Sequence, residues 1–324
     1  MKKIALLSFI LALLILASAY GLIYYLYSPV SQSSEEQEFT IEKGQTLTQI
    51  SANLEKQQLI KNQLALRLLA KYRQSGQKIQ AGNFKLRANM NLDEILLAMQ
   101  KSPEQLTITI LPGWRREEIA EYLEKLDLEE FDSTEFLSLT ASLEGRLAPE
   151  TYKIAPLSTA KTLVNILHRQ FQKSVIDNPE ISQQIAKSSY TLDEILVLAS
   201  LLQREGKTTE EMSMIAGILN SRLNDNYPLQ LCASAQYAVG KNEQTAKWWE
   251  PPTLADTKFD SPYNTYVVKG LPPAPICAVS LAAIKAALNP TPNDYYYYLH
   301  DPQGQIHYGK TLEEHQLNVQ KYLK

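Results

Sequence analysis

Three hydrophobic patterns divide the chain. An unbroken apolar run from Ile4 to Tyr27 is long enough to cross a bilayer as a helix. Many short amphipathic segments follow it, and near the middle comes TLDEILVLASLLQREGKTTEEMSMIAGILNSRL, residues 191–223. This stretch reads as two helices joined by a short turn. Thr191 with Glu194 forms a capping box that starts the first helix, and Thr208 with Glu211 starts the second. Ile195 to Leu202 is apolar round nearly the whole circumference, which predicts a helix buried on all sides. Glu205 lies three residues beyond Leu202 and seven beyond Leu198, so it continues their stripe, and Gly206 is expected as a left-handed stop. A carboxylate there faces the negative end of the helix dipole and borders apolar surface. Both effects raise its pKa, which is how a general acid is made. Most glutamates near helix ends are simply solvated. Glu210 and Glu211, in a first turn where negative charge is favourable, need no functional explanation, whereas Glu205 does.

The amphipathic segments contain a repeat. FTIEKGQTLTQISANL (39–54) and ITILPGWRREEIAEYL (108–123) align without gaps, matching Ile41 to Ile110, Gly44 to Gly113, Ile50 to Ile119 and Leu54 to Leu123. Each copy predicts a short strand, a glycine turn and an amphipathic helix. Between them, 63–71 and 91–99 read as helices, the latter capped by Asn91 with Glu94, and 81–86 as a turn entering a strand. An acidic helical region to Leu143 follows, then an ordered loop at 144–159 and a helix at 162–172. Residues 248–277 are rich in Pro, Tyr and Asn, and a loop that long is uncommon in a compact domain unless it lines a site. Residues 280–288 predict a helix, 295–300 and 305–308 a hairpin, and 311–322 a last helix. The mixture predicts an α+β chain.

The 324 residues, with net charge −3 and 44% hydrophobic content, suit an ordinary globular chain of two or more domains, and no basic excess points to nucleic acid. Lys2 and Lys3 before the apolar run, acidic Glu35, Glu36 and Glu38 after it, and tyrosines clustered at its far end predict a membrane helix with a cytoplasmic N-terminus. Ala17-Ser18-Ala19 resembles a signal-peptidase site, so a cleaved signal peptide is the competing reading, and the eight further apolar residues favour a retained anchor. Either way the rest of the chain is exported. Residues 28–38 read as a polar juxtamembrane linker. In an oxidising compartment Cys232 and Cys277 suffice for one bridge, the alternative being two free thiols. The four histidines are scattered and no CxxC occurs, so neither a metal nor a cofactor is expected.

The loop's aromatic faces, amides and hydroxyls are the surface that sugars bind. Glycoside hydrolysis normally uses two carboxylates. Glu144, Glu150, Glu250, Asp256 and Asp260 all lie in loops able to reach Glu205, yet no spacing singles one out. A single carboxylate suffices where the sugar's own 6-hydroxyl attacks C1, as in an N-acetylmuramic acid chain. The portion IEKGQTLTQIS resembles a LysM-like module, a small fold that binds N-acetylated sugar chains.

More of the chain carries a second resemblance. ASLLQRE ending at Glu205, Leu229-Gln230 with Tyr237, SPYNTY (261–266), GLPP (270–273), Glu144-Gly145 with PETY (149–152) and Glu313-Glu314-His315 are similar to the endolytic murein transglycosylase (YceG-like) family from about Phe39 to the C-terminus. The resemblance implies a membrane anchor (1–27), a linker (28–38), a LysM-like α/β subdomain (39–105) and a mixed α+β catalytic domain (106–324). It further implies cleavage of nascent peptidoglycan strands beside the plasma membrane, with peptidoglycan synthases as partners. The catalytic acid maps onto Glu205, and Glu144, Tyr152, Gln230, Ser234, Tyr263, Asn264, Thr265 and Tyr266 onto substrate binding. It favours a Cys232–Cys277 bridge as well. The chain departs from the family pattern at Gln203, where a second glutamate is common, at Ala274, and at Ala278-Val279-Ser280 in place of Asn-Pro-Gly. The competing function is a non-catalytic, membrane-anchored peptidoglycan-binding scaffold.

Overall fold

Apolar side chains spaced for one face of a helix or strand build the first part of the chain. The computed structural model describes residues 2–42, 44–101, 105–126 and 128–323; the side chains of Lys2 and Lys3, which set the expected orientation of the apolar run, lie outside the described residues. Helix α1 (Lys2–Tyr27) is long and apolar enough over Phe9–Tyr27 to cross a membrane. Strand β1 (Glu36–Ile41), helices α2 (Leu47–Lys56) and α3 (Gln63–Tyr72), strand β2 (Gly82–Arg87) and helix α4 (Leu92–Ala98) follow. β1 and β2 pair antiparallel with Phe39 opposite Phe84, and both phenylalanines pack with Ile50, Leu54, Leu66 and Ile95 in one core. Tyr27 Oη donates to Asp93 at 2.7 Å and ties the end of α1 to α4.

β3 (Leu106–Thr109) then leads to α5 (Arg116–Glu124) and α6 (Ser133–Leu139), and β4 (Thr151–Ile154) pairs with β3. The chain divides into two compact units within these strands: residues 1–107 with 153–157, and 108–152 with 158–324. Both copies of the repeat fold as strand, turn and helix. Gly44 and Gly113 have φ of +90° and +86°, which a side chain disfavours, and every matched Ile and Leu is buried.

The second unit continues with α7 (Ala160–Phe171), α8 (Pro179–Lys187), α9 (Leu192–Glu205), α10 (Thr209–Asn224) and α11 (Cys232–Val239). The long loop, α12 (Leu281–Leu288), the β5–β6 hairpin (Tyr297–His300 with Ile306–Gly309) and α13 (Leu312–Tyr322) complete it. α9 is the centre: it packs against α10, α11 and α12, and its side chains dominate the core cluster. α8 and α11 have no counterpart in the elements read from sequence. Asn178 capping α8 ahead of Pro179 is a legible start signal, whereas α11 has no side-chain cap.

Cys232 and Cys277 are both free thiols, so the expected bridge is corrected. Cys277 is fully buried in the α9 core, with Sγ 3.4 Å from the Ser200 carbonyl, while Cys232 is exposed at the start of α11, its sulfur 3.4 Å from Tyr266 Oη. Each sulfur is engaged in its own surroundings, and a bridge needs the two sulfurs bonded at about 2.05 Å.

Gly217 tests the packing of α10. The carbonyl oxygen of Thr291 fills the space a Cβ would take, held there by Thr291 N–H donating to the Ser213 carbonyl at 2.9 Å. Helix propensity alone makes Gly217→Ala stabilising by about 1 kcal/mol. The overlap instead predicts a loss of about 1–3 kcal/mol, read from urea unfolding.

Candidate active site

Burial of α9 dictates the environment at its end. Every residue from Ile195 to Leu202 is at most 3% exposed. The one hydroxyl among them, Ser200 Oγ, is satisfied by donating to the Val197 carbonyl at 2.7 Å and accepting from Ile276 N–H at 3.0 Å. Thr191 and Glu194 form the predicted capping box at the start of the helix. Gly206 is not left-handed: its φ of −103° and ψ of 146° are extended. Glycine is needed there for space, because a Cβ would lie 2.6 Å from Met212 Cγ and 3.0 Å from Met212 N. The chain leaves α9 extended and enters α10 by this close approach. Thr208 accepts from Glu211 N–H, but the Glu211 carboxylate accepts from Lys207 N–H at 2.8 Å, so the second capping box is only half formed.

Glu205, the last residue of α9, opens into a cavity of about 490 Å³. Arg222 from α10, Gln230 and Cys232 before and within α11, Tyr266 from the long loop, Tyr298 and His300 from β5, and His315 from α13 share the lining with it. Burial raises the Glu205 pKa, as the apolar helix predicts. Four groups oppose that rise by favouring the anion: Tyr298 Oη donating at 2.9 Å, the Ala233 N–H at the start of α11, and the charges of His300 and Arg204. A carboxyl held between these forces can both give and regain a proton. Tyr298, Arg222 and His300 were not legible as site residues, since nothing in a four-residue strand or a helix marks which side chain shares the cavity with Glu205.

The other residues expected at the site fall into three groups. Gln230 and Tyr266 line the cavity with Glu205. Gln230 holds φ at +48°, a left-handed conformation rare outside glycine and asparagine, and its N–H donates to the Thr265 carbonyl at 3.1 Å. Ser234, Asn264 and Thr265 are completely buried beneath them. Thr265 Oγ1 accepts from Leu231 N–H at 2.9 Å and meets Ser234 Oγ at 2.7 Å, and Asn264 Nδ2 donates to the carbonyls of Asp256 and Phe259. This network fixes the loop that aims Tyr266. Glu144, Tyr152 and Tyr263 lie outside the cavity lining: Tyr152 Oη donates to the Ala148 carbonyl, and Tyr263 packs its ring 4.8 Å from Tyr237, over which Arg115 stacks.

Glu144 accepts from Arg116 N–H at 3.2 Å and is 7% exposed, and burial lifts its pKa to about 7. Among the described residues, none of Glu144, Glu150, Glu250, Asp256 and Asp260 lines the cavity, and Glu205 is the one carboxylate that does. The departures at Gln203 and 278–280 are structural. Gln203 Oε1 accepts from Ser280 N–H at 3.0 Å, and Ala278 exchanges backbone hydrogen bonds with Gly113 and Trp114, so the segment is pinned without Asn-Pro-Gly.

The fold is mixed α+β, and among the described residues one carboxylate lines its polar cavity. The chain belongs to the YceG-like family, whose profile matches residues 39–321. Among its relatives is a Streptococcus pneumoniae serotype 2 protein named endolytic murein transglycosylase, 31% identical over 97% of this chain and 64% of its own length. A Bacillus subtilis protein of the same name is 27% identical over 92% of this chain and 88% of its own. The chain thus spans a little under two thirds of the pneumococcal relative. The crystal structure of a YceG-like protein from Listeria monocytogenes is similar with a TM-score of 0.57 and 26% identity, covering 88% of this chain and 99% of that one.

Two titrations follow from the geometry. Tyr298→Phe removes a donor to the anion, so the Glu205 midpoint, followed by NMR of carboxyl-labelled glutamate, moves further up; an unchanged midpoint would show that Tyr298 does not act on the charge. Glu144 has its folded pKa raised to about 7 from 4.5, so the folded state binds more protons across that window and stability falls as pH rises through it. Glu144→Gln removes that loss. Its melting temperature should exceed the parent's at about pH 8, with the advantage disappearing towards pH 4.

Proposed function

We propose that this protein is a membrane-anchored lytic transglycosylase that cuts peptidoglycan strands between N-acetylmuramic acid and N-acetylglucosamine. The observation that carries the reading is the Glu205 cavity, where one carboxylate stands among tyrosines, two histidines and Arg222. The relatives named endolytic murein transglycosylase support the substrate class. The apolar helix α1 supports anchoring in the plasma membrane, with the cytoplasmic N-terminus and extracytoplasmic remainder expected from the flanking charges. The strand–helix–helix–strand order of residues 36–87 supports a LysM-like module in the 39–105 segment, holding the glycan while the 106–324 domain cleaves it.

In this mechanism Glu205, protonated, gives its proton to the glycosidic oxygen as the bond from C1 to that oxygen breaks. Positive charge develops on C1 and the ring oxygen. The Glu205 carboxylate, held by Tyr298, then takes the proton from the 6-hydroxyl as its oxygen bonds to C1. A 1,6-anhydro end forms, no water is consumed, and Glu205 is again protonated. The cleavage ends elongation of a nascent strand, which fits work beside peptidoglycan synthases.

Full-length protein incubated with polymeric peptidoglycan should release fragments with 1,6-anhydromuramoyl ends, identified by mass spectrometry. Glu205→Gln keeps the shape and removes the transferable proton, so release should fall by at least about 100-fold. Undiminished cleavage by that variant would exclude Glu205, and absence of cleavage by the parent would favour a binding scaffold.

A further inference from the structure

The cavity wall holds one buried cation, Arg222, whose bonds do not involve Glu205. Arg222 is 5% exposed, and its guanidinium donates only to backbone carbonyls, those of Tyr296 and Leu229. Among the described residues no carboxylate pairs with it. Of its five N–H groups three are engaged, leaving two. His315 lines the same cavity, stacked 5.3 Å from the Tyr297 ring, and its buried Nδ1 has no hydrogen-bond partner. Burial, and after it the charge of Arg222, disfavour a proton on it. A buried cation without a counter-ion and an orphaned ring nitrogen are costly to keep, and both become satisfied when an anion arrives. While Glu205 is protonated it supplies no such anion.

We propose that Arg222 and His315 form a carboxylate subsite of the Glu205 cavity, which takes an acidic group carried by the muramoyl part of the strand. This rests on the transglycosylase reading and adds to it the group that orients the sugar. Two sources supply the chemistry: the free lactyl carboxylate of a peptide-free muramoyl unit, or a carboxylate of its stem peptide. Bound there, the anion draws a proton onto His315 and accepts from both groups, while the remaining polar wall carries Glu205, Tyr298 and His300 to the scissile bond.

Binding to the full chain carrying Glu205→Gln tests this without turnover. Calorimetric titrations use four strands: peptide-free glycan, the same glycan with its carboxylates methyl-esterified, peptide-bearing glycan, and its esterified form. The expected result is that esterification weakens binding by about tenfold or more in one pair, and that pair identifies the source. In His315→Ala added to the same protein, the difference should shrink, and the His315 ring should titrate higher in the complex than in the free protein. Equal affinity of free and esterified strands in both pairs would overturn the subsite and leave the sugar site standing. Binding of none of the four would overturn the transglycosylase reading and the subsite together.

Discussion

A helix buried on every side has no solvated face on which to end, so the polar group at its terminus must find its environment inside the protein. α9 meets that constraint with Glu205. The apolar packing that makes α9 the centre of the second unit also desolvates the carboxyl and raises its pKa. Burial by itself favours the neutral form and so opposes release of the proton. Tyr298, the start of α11, His300 and Arg204 offset this by favouring the anion. The site's chemistry is therefore a balance between the hydrophobic core on one side and a small set of donors on the other.

The surrounding loops hold those groups in place. Asn264, Thr265 and Ser234 spend their hydrogen bonds on backbone groups and on one another, which makes the long loop rigid despite its lack of regular structure. Ser200 and Gln203, one turn apart on α9, receive the N–H groups of Ile276 and Ser280, and thereby fasten the segment after the loop to the helix that carries Glu205. Gly206, whose missing Cβ lets Met212 approach, sets how sharply α10 departs and so where Arg222 stands. Each of these residues acts at a distance from the proton, through backbone position.

Local features were legible in the sequence and tertiary ones were not. The two strand–glycine–helix units, the Thr191–Glu194 cap and the burial of Ile195–Leu202 follow from spacing and side-chain type, which act within a few residues. Glu205 stood out because its stripe is local too. Tyr298 reaches it only through the return of the chain in β5, and Arg222 shares its cavity only through the turn into α10, and no periodicity encodes either placement. The cysteine pairing failed for the same reason: compartment and count allow a bridge, but only the fold decides that Cys277 faces the α9 core and Cys232 the cavity. Gly206 shows a subtler limit, since a glycine after a helix announces a missing side chain without saying whether conformation or space requires it.

The central claim is that a single half-buried carboxyl, that of Glu205, moves one proton twice and that water takes no part. Cleavage in water enriched in oxygen-18 tests it directly, with the mass of the new sugar ends as the readout. No heavy oxygen should enter, and the ends should lack the mass of one water relative to hydrolysed ends. Incorporation of one heavy oxygen per cut would contradict the account, because it would require a second group to activate water beside Glu205.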